Sequence, residues 1–418
     1  MTITAITNVS LIDGTGQDCI DDAVVLIENN HILAAGSAQS VSVPNDATII
    51  DGGGQFLLPG LIDTHVHMAL EIKMCKSRCL RRSPTAFLKR LNDKQRFKRG
   101  SRQYVMLALP TPALRKRKTA LSQVHECRLA LTRLRLQADM ATAGTYLELI
   151  QQRQSIQACL TENVDGREEV RKTVREMLRA GADVVKVHAT GGVSSPTDHP
   201  EFTQFSQEEL EVMVEEATFR KGVKVMAHAQ GAEGIKNAVR AGIHSIEHGI
   251  YIDDEALELM LEHGTYLVPT LLAPLAVLEA AETSNTMAPY AIEKSKEVID
   301  IHKESIKKAY EAGVKIAMGT DAGVFPHGIN LRELGLMCEI GMSPMEAIVA
   351  STKTAAECMG WGEKVGTIEA GKWADLILLN SNPLEDIEVV ENHENITFVM
   401  KDGQVFKDTL AKAASVTN

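Results

Sequence analysis

Between residues 164 and 320 one unit recurs five times: an amphipathic helical stretch, a glycine turn, then a short apolar run. The copies read Leu178-Arg-Ala-Gly-Ala-Asp-Val-Val-Lys-Val, Arg220-Lys-Gly-Val-Lys-Val-Met-Ala-His, Arg240-Ala-Gly-Ile-His-Ser-Ile-Glu-His, Glu262-His-Gly-Thr-Tyr-Leu-Val-Pro and Glu311-Ala-Gly-Val-Lys-Ile-Ala-Met-Gly. Glycine supplies the left-handed conformation that ends each helix, and the run after it suits a strand buried on both faces. Such a tandem restricts the chain to a parallel α/β fold, either a barrel or a doubly wound sheet. The two ends differ in style. Ile3 to Leu11, Ala23 to Glu28 and His31 to Ala35 read as short strands with turns at Asp13-Gly14 and Glu28-Asn29-Asn30. Residues 365–407 repeat that style, with Val365-Gly-Thr-Ile-Glu-Ala-Gly-Lys, Ala374-Asp-Leu-Ile-Leu-Leu and Thr397-Phe-Val-Met-Lys-Asp-Gly-Gln-Val-Phe. The expectation is one small sheet domain assembled from both ends of the chain.

Composition narrows the class. The 418 residues are 44% hydrophobic, enough for a sizeable core. Seven cysteines without regular spacing do not make a disulfide framework, so a reducing compartment is expected. No basic region followed by an apolar run opens the sequence, and no stretch of about 18 apolar residues occurs. A cytoplasmic protein with no membrane partner is expected. The net charge of -11 is uneven: Lys73 to Arg135 holds 19 basic residues against Asp93 and Glu126, a local +17 that leaves -28 elsewhere. The acidic body argues against nucleic acid as its partner, because phosphate neutralisation needs clustered Lys and Arg.

Chemistry-bearing residues fall at matching places in the units. Leu61-Ile-Asp-Thr-His-Val-His puts His65 and His67 two apart, so on a strand both rings project to one side. Four of the five apolar runs then end in or beside Lys186, His228, His248 and Asp321. In a parallel barrel all strand C-termini open on one face, so these residues would converge. Singly, each has a plain reading: a satisfied core histidine, a solvent-seeking lysine, or an N-cap for Asp321. Together, four imidazoles, a carboxylate and a lysine make a two-metal site. Imidazole and carboxylate suit zinc and related divalent ions, whereas an ammonium cannot be a ligand, so Lys186 would need carboxylation by CO2. His188 just beyond Lys186, and His327 in the loop after Asp321, would face a substrate.

The set Gly60-Leu-Ile-Asp-Thr-His-Val-His, Val185-Lys-Val-His-Ala-Thr-Gly-Gly, Met226-Ala-His-Ala, Ile246-Glu-His-Gly and Gly319-Thr-Asp-Ala-Gly resembles the amidohydrolase superfamily, in particular its imidazolonepropionase-like and prolidase-like (Xaa-Pro dipeptidase-like) branch. The resemblance covers about residues 1–72 and 162–410. It implies a (β/α)8 TIM-type barrel over 59–363 and a β-sandwich built from 1–58 and 364–410, with 411–418 a tail. It implies that His65, His67 and Asp321 hold one divalent ion, zinc first, that His228 and His248 hold a second, and that carboxylated Lys186 bridges them. The implied reaction is hydrolysis of an amide-type C–N bond by a hydroxide bridging two cations about 3.5–4 Å apart. Asp321 would take the proton of the attacking water and pass it to the leaving amine. The substrate class implied is a dipeptide of Xaa-Pro type or an N-acyl amino acid, bound by a homo-oligomer. Specificity would be set by His188, Gly191, Gly192, Gln230, Tyr251 and His327. Two alternatives stand beside it: a cyclic amide (imidazolone-like) hydrolase, and a catalytically impaired scaffold with a basic binding segment.

The pattern breaks between about 73 and 160, where the barrel's second and third strands belong. Read literally, the stretch is a basic insertion centred on Arg115-Lys-Arg-Lys. Read through the genetic code, with the third base of each codon joined to the first two of the next, it says something else. Ser101 to Ala108 then permits Thr-Thr-Val-Arg-Asp-Ala-Gly, and Leu136 to Thr142 permits Thr-Gly-Gly-His-Gly-Asp. These are the family's usual second-strand motif and its usual motif before the lysine strand. On this reading the segment is translated out of frame, its Cys75, Cys79, Cys127 and Cys159 are accidental, the barrel is incomplete and the chain is weakly active or inactive.

Overall fold

The computed structural model describes residues 3–67, 164–179, 181–193, 196–283 and 287–410, and the backbone of Val105–Met106 and Arg135–Leu136. Apart from those two dipeptides, the basic window, its cysteines and the proposed change of frame lie outside the described residues.

Both termini enter one seven-stranded sheet. Its N-terminal strands are β1 (Ile3–Leu11), β2 (Ile20–Glu28), β3 (His31–Ser37) and β4 (Thr48–Pro59). Its C-terminal strands are β12 (Leu376–Leu379), β13 (Ile396–Lys401) and β14 (Gln404–Asp408), and the order is β14-β13-β12-β4-β1-β2-β3. The ends join where β12 runs antiparallel to β4, with Ile377 opposite Leu58. Alternate side chains of these strands, among them Ile6, Val25, Leu57, Leu376, Leu378 and Phe398, share one buried core. Such alternation gives a strand one buried face. The two terminal segments expected to form a sandwich thus share one sheet and one core. Val365 to Lys372 is not a strand; residues 371–374 instead lie along β3, through Ile32 N to Lys372 O (2.8 Å) and Ala374 N to Asn30 O (2.9 Å). Glycines 366 and 371, at φ 97° and 89°, break the extended path there.

The repeated units form the α/β part. All five turn glycines are left-handed: Gly181, Gly222, Gly242, Gly264 and Gly313 have φ between 64° and 99°. The elements are α1 (Gly166–Arg179), β8 (Val184–His188), α2 (Gln207–Thr218), β9 (Lys224–Ala229), α3 (Ala232–Arg240), β10 (Ser245–His248), α4 (Asp254–His263), β11 (Tyr266–Val268), α5 (Leu272–Thr283) and α6 (Pro289–Glu311). Helices α7 (Arg332–Glu339), α8 (Pro344–Ser351) and α9 (Lys353–Cys358) follow. In α1, Val170, Thr173, Val174, Met177 and Leu178 are buried, the spacing of a helix laid on a sheet. A capping box of Ser206 and Glu209 starts α2. Strands β8 to β11 are parallel neighbours. The fifth run continues the same wall as bridges: Leu267 pairs in parallel with Ile316, and Thr64 N donates to Met318 O at 3.0 Å. Thus β5 (Ile62–Asp63) and the residues after it close one flank of an arc whose other flank is β8.

Between β5 and β8 a (β/α)8 barrel has two more parallel strands. The described residues place only dipeptides there. Strand β6 (Val105–Met106) pairs antiparallel with β5, and β7 (Arg135–Leu136) pairs antiparallel with β8. Six wall segments are therefore built in the parallel sense among the described residues.

Asp63 ties the first and last segments of the arc together. Its carboxylate accepts from His65 N (3.0 Å), Thr320 N (3.1 Å), Thr320 Oγ1 (2.6 Å) and Asn330 Nδ2 (2.8 Å), all buried. Asp63→Ala strands several of these donors without water, so it is expected to cost about 3 kcal/mol. A urea titration should show a lower midpoint at unchanged slope; an unchanged midpoint would show that the four bonds are energetically idle.

Candidate metal centre

His65 and His67 follow β5, His228 lies within β9, His248 ends β10, and Asp321 follows the fifth wall segment. All reach the same end of the arc. Asp321 is the meeting point: its Oδ1 lies 2.7 Å from His67 Nε2 and 3.3 Å from His65 Nε2. One ligand atom from each of His65, His248 and Asp321 falls within 4.8 Å of the others. The His248 ring is 5.3 Å from that of His65 and 4.5 Å from that of His228, and His228 in turn stacks on His188 at 4.7 Å. The tight trio thus takes members from both of the ligand sets that the resemblance implies. His228 Nε2 donates to Gly191 O at 3.0 Å, which leaves its other nitrogen for an ion. Lys186 is buried and its charge reaches His65, His228, His248 and Glu247.

Burial and mutual charge set the protonation of these groups. Burial, and then the charge of Lys186, push His228 down to about 4. Burial and the neighbouring His228 hold His248 well below the usual range. Burial alone would raise Asp321, but His65 and His67 overcome it and keep the carboxylate ionised. His65 runs the other way: despite its burial and the charge of Lys186, Asp321 and Glu247 raise it. Imidazole and carboxylate are nonetheless the donor types that a divalent ion takes. A bare ammonium on Lys186 works against protonated imidazoles around it, and an anionic carbamate would not.

The backbone is strained at the same face. His248, Thr270 and Asp321, each at the end of a wall segment, have φ of 77°, 53° and 61°. Non-glycine residues seldom adopt such values, and they cluster where function imposes them.

Several contributors are not among the candidate residues named from the sequence. Glu247 is wholly buried, takes a hydrogen bond from His65 Nδ1 at 2.7 Å and another from Ser245 Oγ at 2.7 Å, and so turns His65 Nε2 toward Asp321. A carboxylate in the middle of an all-buried strand was the available signal. Thr270 Oγ1 engages His248 Nδ1 at 2.6 Å. Glu333 accepts from Leu271 N and Leu272 N at 2.7 and 2.8 Å, fixing the turn that carries Thr270. Buried histidine 302 donates to His248 O, and burial pushes its imidazolium down to about 4.

The six residues expected at the substrate end are spread around this centre. His188 lies against His228. Gly191 and Gly192 approach so closely that a Cβ on Gly192 would sit 3.1 Å from His228 Nε2. Gln230 is buried, its N donates to Thr190 Oγ1, and its Oε1 has no hydrogen-bond partner among the described residues. Tyr251 N donates to Gln230 O at 2.8 Å, and burial, then Glu201 and Glu297, push its phenol up. His327 is exposed and its Nε2 donates to His67 O at 3.2 Å. No helix among the described residues is long and apolar enough to cross a membrane.

Residues 56–406 match the model of the amidohydrolase family. Ochratoxinase from Aspergillus niger is 43% identical over 247 residues, 58% of this chain; the chain matches about half the length of that relative, 50%. Imidazolonepropionase from Geobacillus sp. (strain WCH70) is 24% identical over 416 residues, covering 92% of this chain and 90% of the relative. A crystal structure of a Xaa-Pro dipeptidase with bound methionine superposes with a TM-score of 0.73 at 29% identity, covering 97% of this chain and all of that one (100%).

Proposed function

Because the chain belongs to the amidohydrolase family, we propose that it is built to hydrolyse an amide-type C–N bond in a dipeptide of Xaa-Pro type or an N-acyl amino acid. The observation that carries this reading is the convergence of His65, His67 and His248 around Asp321. His65, His67 and Asp321 would hold one divalent ion, His228 and His248 a second, and Lys186, as a carbamate, would bridge them. Two ions bound there, zinc first, would polarise the scissile carbonyl and acidify a water. The ionised Asp321 takes a proton from the attacking water and delivers it to the nitrogen of the leaving amine. Glu247 keeps His65 in the tautomer that presents Nε2 to the site. Gln230 offers a buried carboxamide oxygen to a donor group of the substrate, and His188, Gly191, Gly192, Tyr251 and His327 surround that position.

The likeness to a Xaa-Pro dipeptidase structure supports the dipeptide reading. Cyclic amide hydrolysis is the second reading, favoured by the long match to imidazolonepropionase. We also propose that residues 73–160 are out of frame, because both family motifs emerge from one alternative frame.

Every proposed ligand lies outside that window, so metal loading tests the site separately from turnover. Purified chain dialysed against zinc and bicarbonate is expected to retain two zinc ions by atomic emission. A panel of Xaa-Pro dipeptides, N-acyl amino acids and an imidazolone would then sort the substrate readings. Fewer than one zinc per chain would overturn the site.

A further inference from the structure

We propose that His302 and Ser305 of α6 are positioning residues that hold His248 in the backbone conformation its role as a metal ligand requires. The inference rests on the reading of His248 as a ligand. Strand β10 ends at His248, opposite Ala229, and the chain then turns sharply. His248 and Gly249 are both left-handed, at φ 77° and 63°. The second position disfavours a side chain, since its backbone is left-handed and a Cβ there would lie 2.8 Å from Leu267 Cδ1 and 3.0 Å from Ile252 Cδ1, which would have to shift. The first position is the costly one, because a left-handed histidine persists only where its surroundings impose it.

Helix α6 imposes it. His302 Nε2 donates to His248 O at 2.8 Å, and Ser305 Oγ donates to Gly249 O at 2.7 Å while accepting from Ile252 N at 3.1 Å. Residues 302 and 305 are three apart, so one helix face presents both. All of these groups are buried, so water cannot replace either side chain. From the other side, Thr270 Oγ1 engages His248 Nδ1 at 2.6 Å, leaving Nε2 for an ion. His248 is thus fixed by its carbonyl, the next carbonyl and its ring.

Without the donor on His302, the His248 backbone can relax toward the right-handed region in the metal-free protein. Metal binding must then restore the strained turn, so the loss appears in metal affinity. A role confined to packing would lower stability and leave affinity unchanged.

The test is zinc titration of the full chain against a competing chelator, with cobalt(II) absorption as a second readout of coordination. His302→Leu is expected to weaken one of the two zinc sites about 10–100-fold, the usual effect of losing an outer partner of a ligand. His302→Gln, whose amide N–H reaches toward the same carbonyl, is expected to recover most of that affinity. Wild-type affinity in His302→Leu, or no recovery in His302→Gln, overturns the proposal. Should His302→Leu fail to fold, Ser305→Ala decides: weakened zinc binding supports the clamp and unchanged binding overturns it. A wild-type chain that holds no zinc fails the reading of the site itself, and this inference with it.

Discussion

Translated in the alternative frame across residues 73–160 and loaded with zinc, the chain is expected to cleave Xaa-Pro dipeptides at the usual enzymatic turnover of about 1–10³ s⁻¹. The chain as written is expected to fall at least about 100-fold below that. All six proposed metal ligands lie outside the window, so zinc content should be the same in both. What differs is the wall: between β5 and β8 the described residues supply antiparallel dipeptides in place of two parallel strands. Misplacing a bound substrate by about 1 Å is enough to cost about 10²-fold in rate. Both proteins can be made from one gene by paired single-base changes, and steady-state hydrolysis compared at matched zinc content. Equal turnover would mean that the basic window is a working part of the enzyme.

In the frame-restored chain, Asp321→Asn is expected to lower kcat about 10²–10⁴-fold, the usual contribution of a positioned general base. The amide keeps an oxygen at the ligand position and leaves the Thr320, Asp63 and Asn330 network in place, but it has no basic oxygen to accept a proton. The wild-type carboxylate is held ionised by His65 and His67 despite its burial, so it is already in the form a base needs. Stopped-flow or steady-state assay with a chromogenic dipeptide reads the change. A kcat within about tenfold of wild type would remove Asp321 from the proton path and leave it a ligand only.

The glycine turns and the placing of the candidate residues were legible because each depends on local rules: helix, left-handed glycine, apolar run, then a polar residue where the run stops. All five turns adopt the expected conformation, and the ligand candidates emerge at one end of the arc. The partners of those ligands were not legible, since they come from distant segments. Glu247 meets His65 across the arc, Glu333 reaches back to Leu271, and His302 caps a strand that ended long before it in sequence. No spacing rule links such pairs; only packing does. The contacts that flank the terminal sheet were hidden for the same reason. They involve Gly371 to Ala374, a segment that pairs along β3 without forming a strand of its own. The fifth apolar run, in contrast, was readable as a wall element although it is held by isolated bridges.

The pairing of β4 with β12 has a consequence for biosynthesis. As the chain leaves the ribosome, Phe56, Leu57 and Leu58 emerge before the whole α/β part, and the strand that covers that edge is made only after it. An apolar edge left open for most of translation invites pairing with neighbouring nascent chains. Completion of this sheet is therefore slowed by the sequence distance it must close. A ribosome that stops early leaves the edge exposed for good, so truncated products should be found in the aggregated fraction.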